Sequence, residues 1–401
     1  MRTWIITEVY YPDKTSTAVL LTQLAEGLSA SHDVAVLTGP PKESSVRLPA
    51  MQQIGGVTVH RAFGTRGSQH HLASRALNMI TVSASIGWKA LCNFRRGDRA
   101  IVVTNPPVLP YLIAIAARLR GARAILLVYD VYPEVLEVVG IINPNSFVGR
   151  IANGLATWLY RQMKAIVVIG RDMRRIVEKH LGSGSNCIVC IPNWTDGEIR
   201  SLPEPDRVLR ERLGLTGKFV IQYSGNMGRT HDLEILLRAA ERLRSHPDIH
   251  FLFVGGGAQK AWITNEAAGN GLPNVTVADW FPRSELSAAL SLGDLGVVSF
   301  KPGMSGVSVP SRMYNIFASG RPILAISEPD SETACVVAEH QVGFAVLPSD
   351  CDALVNTILS AASDRERLRE MGARARVLAE TEYSFETSLR RYRELIDKVP
   401  G

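Results

Sequence analysis

Short apolar runs alternate with amphipathic helical stretches from one end of this 401-residue chain to the other. RTWIIT, DVAVLT, VTVHRAF, AIVVTN, RAILLVY, AIVVIG and CIVCIPN read as strands, most of them apolar on both faces. Strands of that kind belong to parallel sheets covered by helices on each side. Residues 18–30, 108–119, 146–163 and 172–181 supply the helices between them. The alternation breaks in 196–217, where Asp, Gly, Pro and Glu crowd together (LPEPD), as in an interdomain linker. It then restarts with FVIQYSG, IHFLFVGGG, NVTVADW, DLGVVSF, PILAI and GFAVL. The pattern predicts an α/β chain of two doubly wound domains, 1–195 and 218–383, with a last helix in 384–401.

No apolar run reaches the ~20 residues that span a bilayer. The opening MRTWIITEVYY reads as a strand and loop, without the features of a secretory leader. Together these predict a cytoplasmic protein. Five cysteines fit a reducing compartment. Cys187 and Cys190 lie three apart on a strand and so point to opposite faces, which argues against a redox or zinc pair. Residues 1–200 hold 22 Lys and Arg against 13 Asp and Glu, a net of +9; the remainder nets −3. A basic half points to an anionic partner or to a solvated basic face. It contains no recognisable nucleic-acid-binding motif, which disfavours nucleic acid.

The segment GMSGVSVPSRMYNIFASGRP, 303–322, is the richest in chemistry. Gly303, Ser305 and Gly306 leave the backbone bare. Ser308 suits an N-cap, Pro310 the first helical turn, and Ser311 and Arg312 follow it. Gly320 ends the helix. A glycine-rich loop feeding a helix start beside a cation fits an anion such as phosphate. An ordinary capped loop–helix–strand unit fits the same string. In YSGNMGRTHDLEILL, Gly225 and Gly228 allow close backbone approach, and Arg229 can fork onto two phosphate oxygens. His231 reads as a residue of the following helix's first turn. Asp350 and Asp352 form a D-x-D ahead of a helix, where an Asp caps well.

These strings resemble the retaining family 4 glycosyltransferases of GT-B fold, and most closely the fucosamine-transferase-like subgroup of O-antigen and exopolysaccharide synthesis. That subgroup carries a VPSRMYNI-type string before A-x-G-x-P. The likeness extends to YSGNMGRTH, to VGGG, to NVTVADWF and to YDVYPEVLEVVGIINP. It implies a cleft between two Rossmann-like domains, and a nucleotide diphosphate sugar, UDP-linked, bound by the second. Gly225, Asn226, Trp280, Lys301, Gly303, Ser305, Gly306, Ser308, Ser311, Arg312 and Asn315 then become donor-site candidates. Arg229 becomes the diphosphate clamp. In the first domain, Asp130 and Glu134 become the carboxylates near the acceptor, and Lys14, Thr15, Ser16 and Thr17 the acceptor loop.

The chain departs from the family at its paired glutamates. The first, a sugar contact, falls at Val307, and the second, a ribose contact, at Asn315. Asn226 lies where many members carry an Arg. The paired glycines of the first loop are absent. The resemblance implies neither a metal nor a cofactor. It implies a lipid-linked saccharide acceptor at the inner face of the cytoplasmic membrane, with an anionic membrane surface as partner. Residues 70–96 and 146–164, apolar at helical spacing and carrying cations, are the candidates to lie on it. A nucleotide-sugar 2-epimerase of the same fold, or a catalytically dead sugar-nucleotide binder, are the alternatives.

Overall fold

The computed structural model describes residues 1–42, 48–65 and 72–399. His70 and His71, at the start of the first basic stretch, lie outside them. Contacts divide the chain into unit 1, Met1–Pro192 with Ser388–Gly401, and unit 2, Asn193–Thr387.

Unit 1 holds eight strands: β1 (Thr3–Thr7), β2 (Val34–Thr38), β3 (Met51–Ile54), β4 (Val57–Arg61), β5 (Arg99–Val103), β6 (Arg123–Val128), β7 (Ala165–Val168) and β8 (Ile188–Cys190). They pair in the order β3-β4-β2-β1-β5-β6-β7-β8, and only β3 is antiparallel. All five residues of β1, β2 and β5 are buried, as expected of strands covered on both faces. β3 (MQQI) is absent from the apolar-run reading because its residues are exposed or half-buried. It is a hairpin edge strand with no core to fill.

Unit 2 holds six parallel strands: β9 (Phe219–Ser224), β10 (Ile249–Val254), β11 (Val275–Ala278), β12 (Leu295–Ser299), β13 (Ile323–Ile326) and β14 (Gly343–Val346). Their order is β11-β10-β9-β12-β13-β14. The first strand thus lies inside the sheet, with the chain running outward to one side and then to the other. Phe219, Ile221, Tyr223, Phe251, Phe253 and Val297 fill the core beneath helix Glu234–Arg242 and helix Cys351–Ser363. Asp350 caps the latter by accepting from the Ala353 amide, and Asp352 pairs with Arg242 at 2.5 Å.

Residues 196–217, read as a linker, are packed into unit 2. Leu209 and Leu215 join a buried cluster with Val220, Leu252 and Leu292. Arg210 donates to Asp294 at 3.0 Å and to the carbonyl of Leu292 at 2.8 Å. Asp294 also accepts from the Val220 amide and from Arg365. The turn-forming composition hides two apolar anchors and an arginine with a specific partner. Helix Phe385–Lys398 begins in unit 2 and is counted with unit 1 from Ser388 onward. There Arg393 donates to Gly27 carbonyl at 2.8 Å, and Arg99 donates to Val399 carbonyl at 3.0 Å.

Asp294 is the common acceptor for two arginines and a strand amide, so truncating it removes a partner from all three. Asp294→Ala is expected to destabilise the protein by about 3 kcal/mol in urea unfolding, the scale for breaking a largely buried ion pair. A loss below ~1 kcal/mol would show that the arginines find water instead.

Candidate active site

In unit 2 the loops after β9, β10, β11 and β12 converge at the carboxyl ends of the strands, around the point where the strand order reverses. Open α/β sheets bind ligands in that crevice. Gly225 follows β9 with φ +148° and donates to the carbonyl of Val254. Gly255 follows β10 with φ +133°; a Cβ there would sit 2.3 Å from the carbonyl oxygen of Gly225. Only glycine permits that crossing. The Met227 amide donates to Gly256 carbonyl at 2.7 Å, clipping the two loops together. Trp280 is 60% exposed, so it is not a core residue. Its indole stands over the turn, with Nε1 3.0 Å from where a Cβ on Gly256 would be.

The start of the helix after β12 differs from the sequence expectation. The helix spans Arg312–Ala318 and is flanked by Ser311, not capped by Ser308, and Ser311 makes no side-chain cap bond. Met313 donates to Pro310 carbonyl and Tyr314 to Ser311 carbonyl, a tight three-residue winding that begins one turn later than the composition implies. Val309 and Pro310 are buried under it.

Arg312 is the residue that joins the two motifs. Its guanidinium lies 4.1 Å from the centre of the Tyr223 ring. Nη2 donates to Asn226 carbonyl at 3.1 Å and to His231 Nε2 at 3.1 Å. Nη1 is buried without a partner among the described residues. A buried guanidinium nitrogen left unpaired is costly, and it marks a place where an anion would be welcome. Arg229, three residues beyond Asn226, is exposed, and its guanidinium has no partner among the described residues. Lys301 is exposed, and its amide donates to Thr230 carbonyl at 3.0 Å, linking the β9 and β12 loops.

The bare loop is not open to an anion at every amide. Gly303 and Ser305 donate their N–H groups to the two oxygens of the Glu328 carboxylate, at 2.9 and 3.0 Å. Ser305 Oγ donates to Asp330 at 3.0 Å. The expectation that these two amides await a ligand is therefore corrected: the protein's own carboxylate holds them. Gly306 is buried, and Ser308 is half-buried. Val307 is 2% exposed, part of the core, and Asn315 is half-buried on the helix.

His231 lies in the turn ahead of helix Glu234–Arg242, not in its first turn. Burial, reinforced by the Arg312 charge, lowers its pKa to about 3. Sequence reasoning missed its contact with Arg312, because nothing in either motif announces a partner 81 residues away.

In unit 1, Asp130 follows β6 and its Oδ2 accepts from Asn105 Nδ2 at 2.7 Å. Asn105 Oδ1 accepts in turn from the Tyr132 hydroxyl at 2.9 Å. Thr104 Oγ1 accepts from the amides of Tyr129 and Asp130. Glu134 lies in the first turn of helix Glu134–Val138, and its Oε1 meets His180 Nε2 at 2.9 Å. Each candidate carboxylate thus has one oxygen held and one without a partner among the described residues: Asp130 has Oδ2 on Asn105 and Oδ1 free, and Glu134 has Oε1 on His180 and Oε2 buried and unpaired. In the first loop, Thr15 caps helix Ser16–Ser29 by accepting from the Ala18 amide. Lys14 and Ser16 are exposed and Thr17 is half-buried.

Residues 206–378 match the family model described as glycosyl transferases group 1, and residues 17–194 the glycosyl transferase 4-like domain. A Pseudomonas aeruginosa protein named as a glycosyltransferase, WbjE, is 29% identical over 294 residues, 73% of each chain. WcaI of Escherichia coli K12, named as a colanic acid biosynthesis glycosyl transferase, is 29% identical over 371 residues, 88% of this chain and 90% of its own. The Anabaena protein HepE, solved in complex with UDP, superposes with a TM-score of 0.73 at 15% identity, over 99% of this chain and 100% of its own.

The neutral His231 ties stability to pH. Its folded pKa lies below the unfolded value of 6.5, and His250, buried likewise, falls to about 4. Stability from both is fully present above pH ~6.5. It is lost as pH falls, because the unfolded chain takes up protons that the folded one refuses. Urea unfolding between pH 7 and 5 should show stability decreasing toward acid, with a limiting slope of ~1.4 kcal/mol per pH unit for each imidazole. His231→Gln should flatten that slope; an unchanged slope would mean that His231 titrates normally. Those two domain matches, set on two Rossmann-like sheets, make the chain a glycosyltransferase of GT-B fold.

Proposed function

We propose that this glycosyltransferase moves a sugar, with retention, from a UDP-linked donor to a lipid-linked saccharide in bacterial surface polysaccharide synthesis. The observation that carries the donor half is Arg312. Its Nη2 is fixed by Asn226 and His231 and its Nη1 is buried without a partner among the described residues, at the switch point of the unit 2 sheet. HepE, which shares the fold, is solved with UDP. On this reading the diphosphate meets Arg312 from one side and the free guanidinium of Arg229 from the other, across Gly225 and Gly228. Lys301, Ser308 and Ser311 border it. Trp280 walls the base and Asn315 faces the ribose.

The bond between the anomeric carbon and the diphosphate oxygen breaks while the acceptor oxygen bonds to the same face. The acceptor proton passes to the departing phosphate oxygen. Negative charge grows on the nucleotide diphosphate, and the two arginines stabilise it. Asp130, oriented by Asn105, positions the acceptor hydroxyl. Glu134, with Oε1 on His180, is the second carboxylate on this side. Lys14, Thr15, Ser16 and Thr17 border the acceptor.

Support for a membrane-bound acceptor comes from three neighbouring helices of unit 1. Leu72–Asn93, Leu109–Arg120 and Phe147–Gln162 contain no Asp or Glu. They carry Lys89, Arg118, Arg120, Arg150 and Arg161. Large apolar side chains stand exposed among them: Trp88 at 67%, Leu119 at 69% and Phe147 at 72%, with Ile80, Val148 and Leu155. An apolar face with cations and no acid suits an anionic bilayer surface. Among the described residues no helix is long and apolar enough to cross a membrane.

Arg312→Ala should weaken UDP binding by roughly 1.5–3 kcal/mol, the worth of a charge-assisted contact, with a smaller loss for Arg229→Ala. Asp130→Asn should cut turnover on membrane-extracted acceptor while leaving UDP affinity intact. Calorimetric titration with UDP and a turnover assay separate the two. Unaltered UDP affinity in Arg312→Ala would reject the diphosphate role, and wild-type turnover in Asp130→Asn would remove that carboxylate from the reaction.

The membrane face has its own test, by vesicle flotation. Binding to phosphatidylcholine vesicles with about a third phosphatidylglycerol should fall as salt rises, since each cation contributes up to about 1 kcal/mol and salt screens it. Phe147→Ser with Arg150→Glu should weaken binding while leaving UDP affinity unchanged. Equal binding to neutral and anionic vesicles, or none to either, would sink the membrane claim.

A further inference from the structure

We propose that His231 is a positioning residue for glycosyl transfer: its neutral imidazole, as a hydrogen-bond acceptor, sets the guanidinium of Arg312 for the donor diphosphate. The inference rests on the reading that Arg312 binds that diphosphate.

The protonation state follows from the geometry. A guanidinium has only donors, so at the 3.1 Å contact between Arg312 Nη2 and His231 Nε2 the imidazole nitrogen must accept. Its proton is then on Nδ1. That nitrogen lies 3.0 Å from the carbonyl oxygen of Ser299, which can only accept. Both contacts demand the same tautomer. The ring is also fixed in plane, stacked on Phe300 at 5.2 Å and met edge-on by Tyr223 at 6.1 Å. The depressed basicity of His231, from burial and the Arg312 charge, keeps it in this form at neutral pH.

The consequence falls on Arg312. Nη2 has two hydrogens, one for Asn226 carbonyl and one for His231, so that nitrogen is fully committed. With Tyr223 beneath the plane, these contacts leave Nη1 buried and without a partner among the described residues. His231 therefore decides which edge of the guanidinium stays free. It also carries the tie from Arg312 back to the end of β12 at Ser299, across the switch point of the sheet.

A double-mutant cycle with UDP as the calorimetric probe tests this. His231→Ala should weaken UDP binding about five- to twentyfold, and Arg312→Ala by more. In the Arg312→Ala background, His231→Ala should change UDP affinity less than about twofold, because its only route to the ligand is gone. His231→Gln, whose carbonyl can still accept from Arg312, should recover most of the wild-type affinity and guards against a folding defect in the alanine variant. In turnover assays the loss in His231→Ala should lie in both donor KM and kcat, since Arg312 serves binding and the leaving group alike. Additive losses, or a Gln variant as weak as Ala, would overturn the positioning role while leaving the Arg312 reading intact. Full UDP affinity in Arg312→Ala, or no UDP binding by the wild type, would overturn both.

Discussion

β9 is the first strand of its unit and lies in the interior of its sheet, and the rest of unit 2 is arranged around that fact. Five of its six residues are buried, and the sixth, Ser224, is half-buried at the end. Such a strand can offer no side chain to a ligand along most of its length. Chemistry is confined to its carboxyl end, where the loops to β10 and from β12 diverge. Unit 1 repeats the arrangement, with β1 between β2 and β5, and Asn105 and Asp130 on the loops after β5 and β6. The two domains thus present their polar residues at equivalent places in their sheets without any detectable repeat in sequence.

At the end of β9 the packing is close enough that single atoms matter. The Gly225 and Gly255 backbones approach until a Cβ on the latter would overlap a carbonyl oxygen. A Cβ on Gly225 would lie 3.3 Å from the Arg312 guanidinium carbon. The arginine is therefore seated against bare backbone, over an aromatic face, with an imidazole at one corner. Removing water from around a guanidinium costs free energy, and here Tyr223, Asn226 carbonyl and His231 offset only part of it. The uncompensated remainder is what an anionic ligand can recover. Interactions that share one group in this way are non-additive, so the pieces cannot be valued one at a time.

Most of this architecture is legible in the sequence because buried parallel strands are apolar on both faces, and such runs stand out. The edge strand β3 has no such signature, since the residues of MQQI are exposed or half-buried. The packed stretch 196–217 is masked by its Pro, Gly and acidic residues, although Leu209 and Leu215 do core work and Arg210 has a defined partner. At the site, the composition of 303–322 identifies a glycine-rich loop and Arg312, but places the helix start a turn early. The partners are what sequence withholds. His231 meets Arg312, and Glu328 meets Gly303 and Ser305, only because the sheet order brings separate loops together. Arg229 stands out in the sequence because it follows the glycines at 225 and 228. Arg312, by contrast, reads as a first-turn helix residue.

The charges around the 303–306 loop divide the labour within the proposed donor site. Two backbone amides in a glycine loop would ordinarily attract phosphate, but Glu328 already supplies a carboxylate to both, and Asp330 accepts from Ser305. A phosphate approaching them would meet like charge, an unfavourable encounter at short range. Hydroxyl groups meet no such penalty, because an ionised carboxylate has spare lone pairs and only accepts. The sugar-contacting glutamate that the sequence resemblance implies would fall at Val307, which is apolar and buried in the core. Glu328, brought from the end of β13, places a carboxylate on that loop from a different strand. On the proposed reading, the anionic part of the donor belongs with Arg312 and Arg229, and its neutral, hydroxyl-bearing part with the acidic loop. Position along the sheet edge, and not the loop's glycine content, then decides which end of a nucleotide sugar lies where.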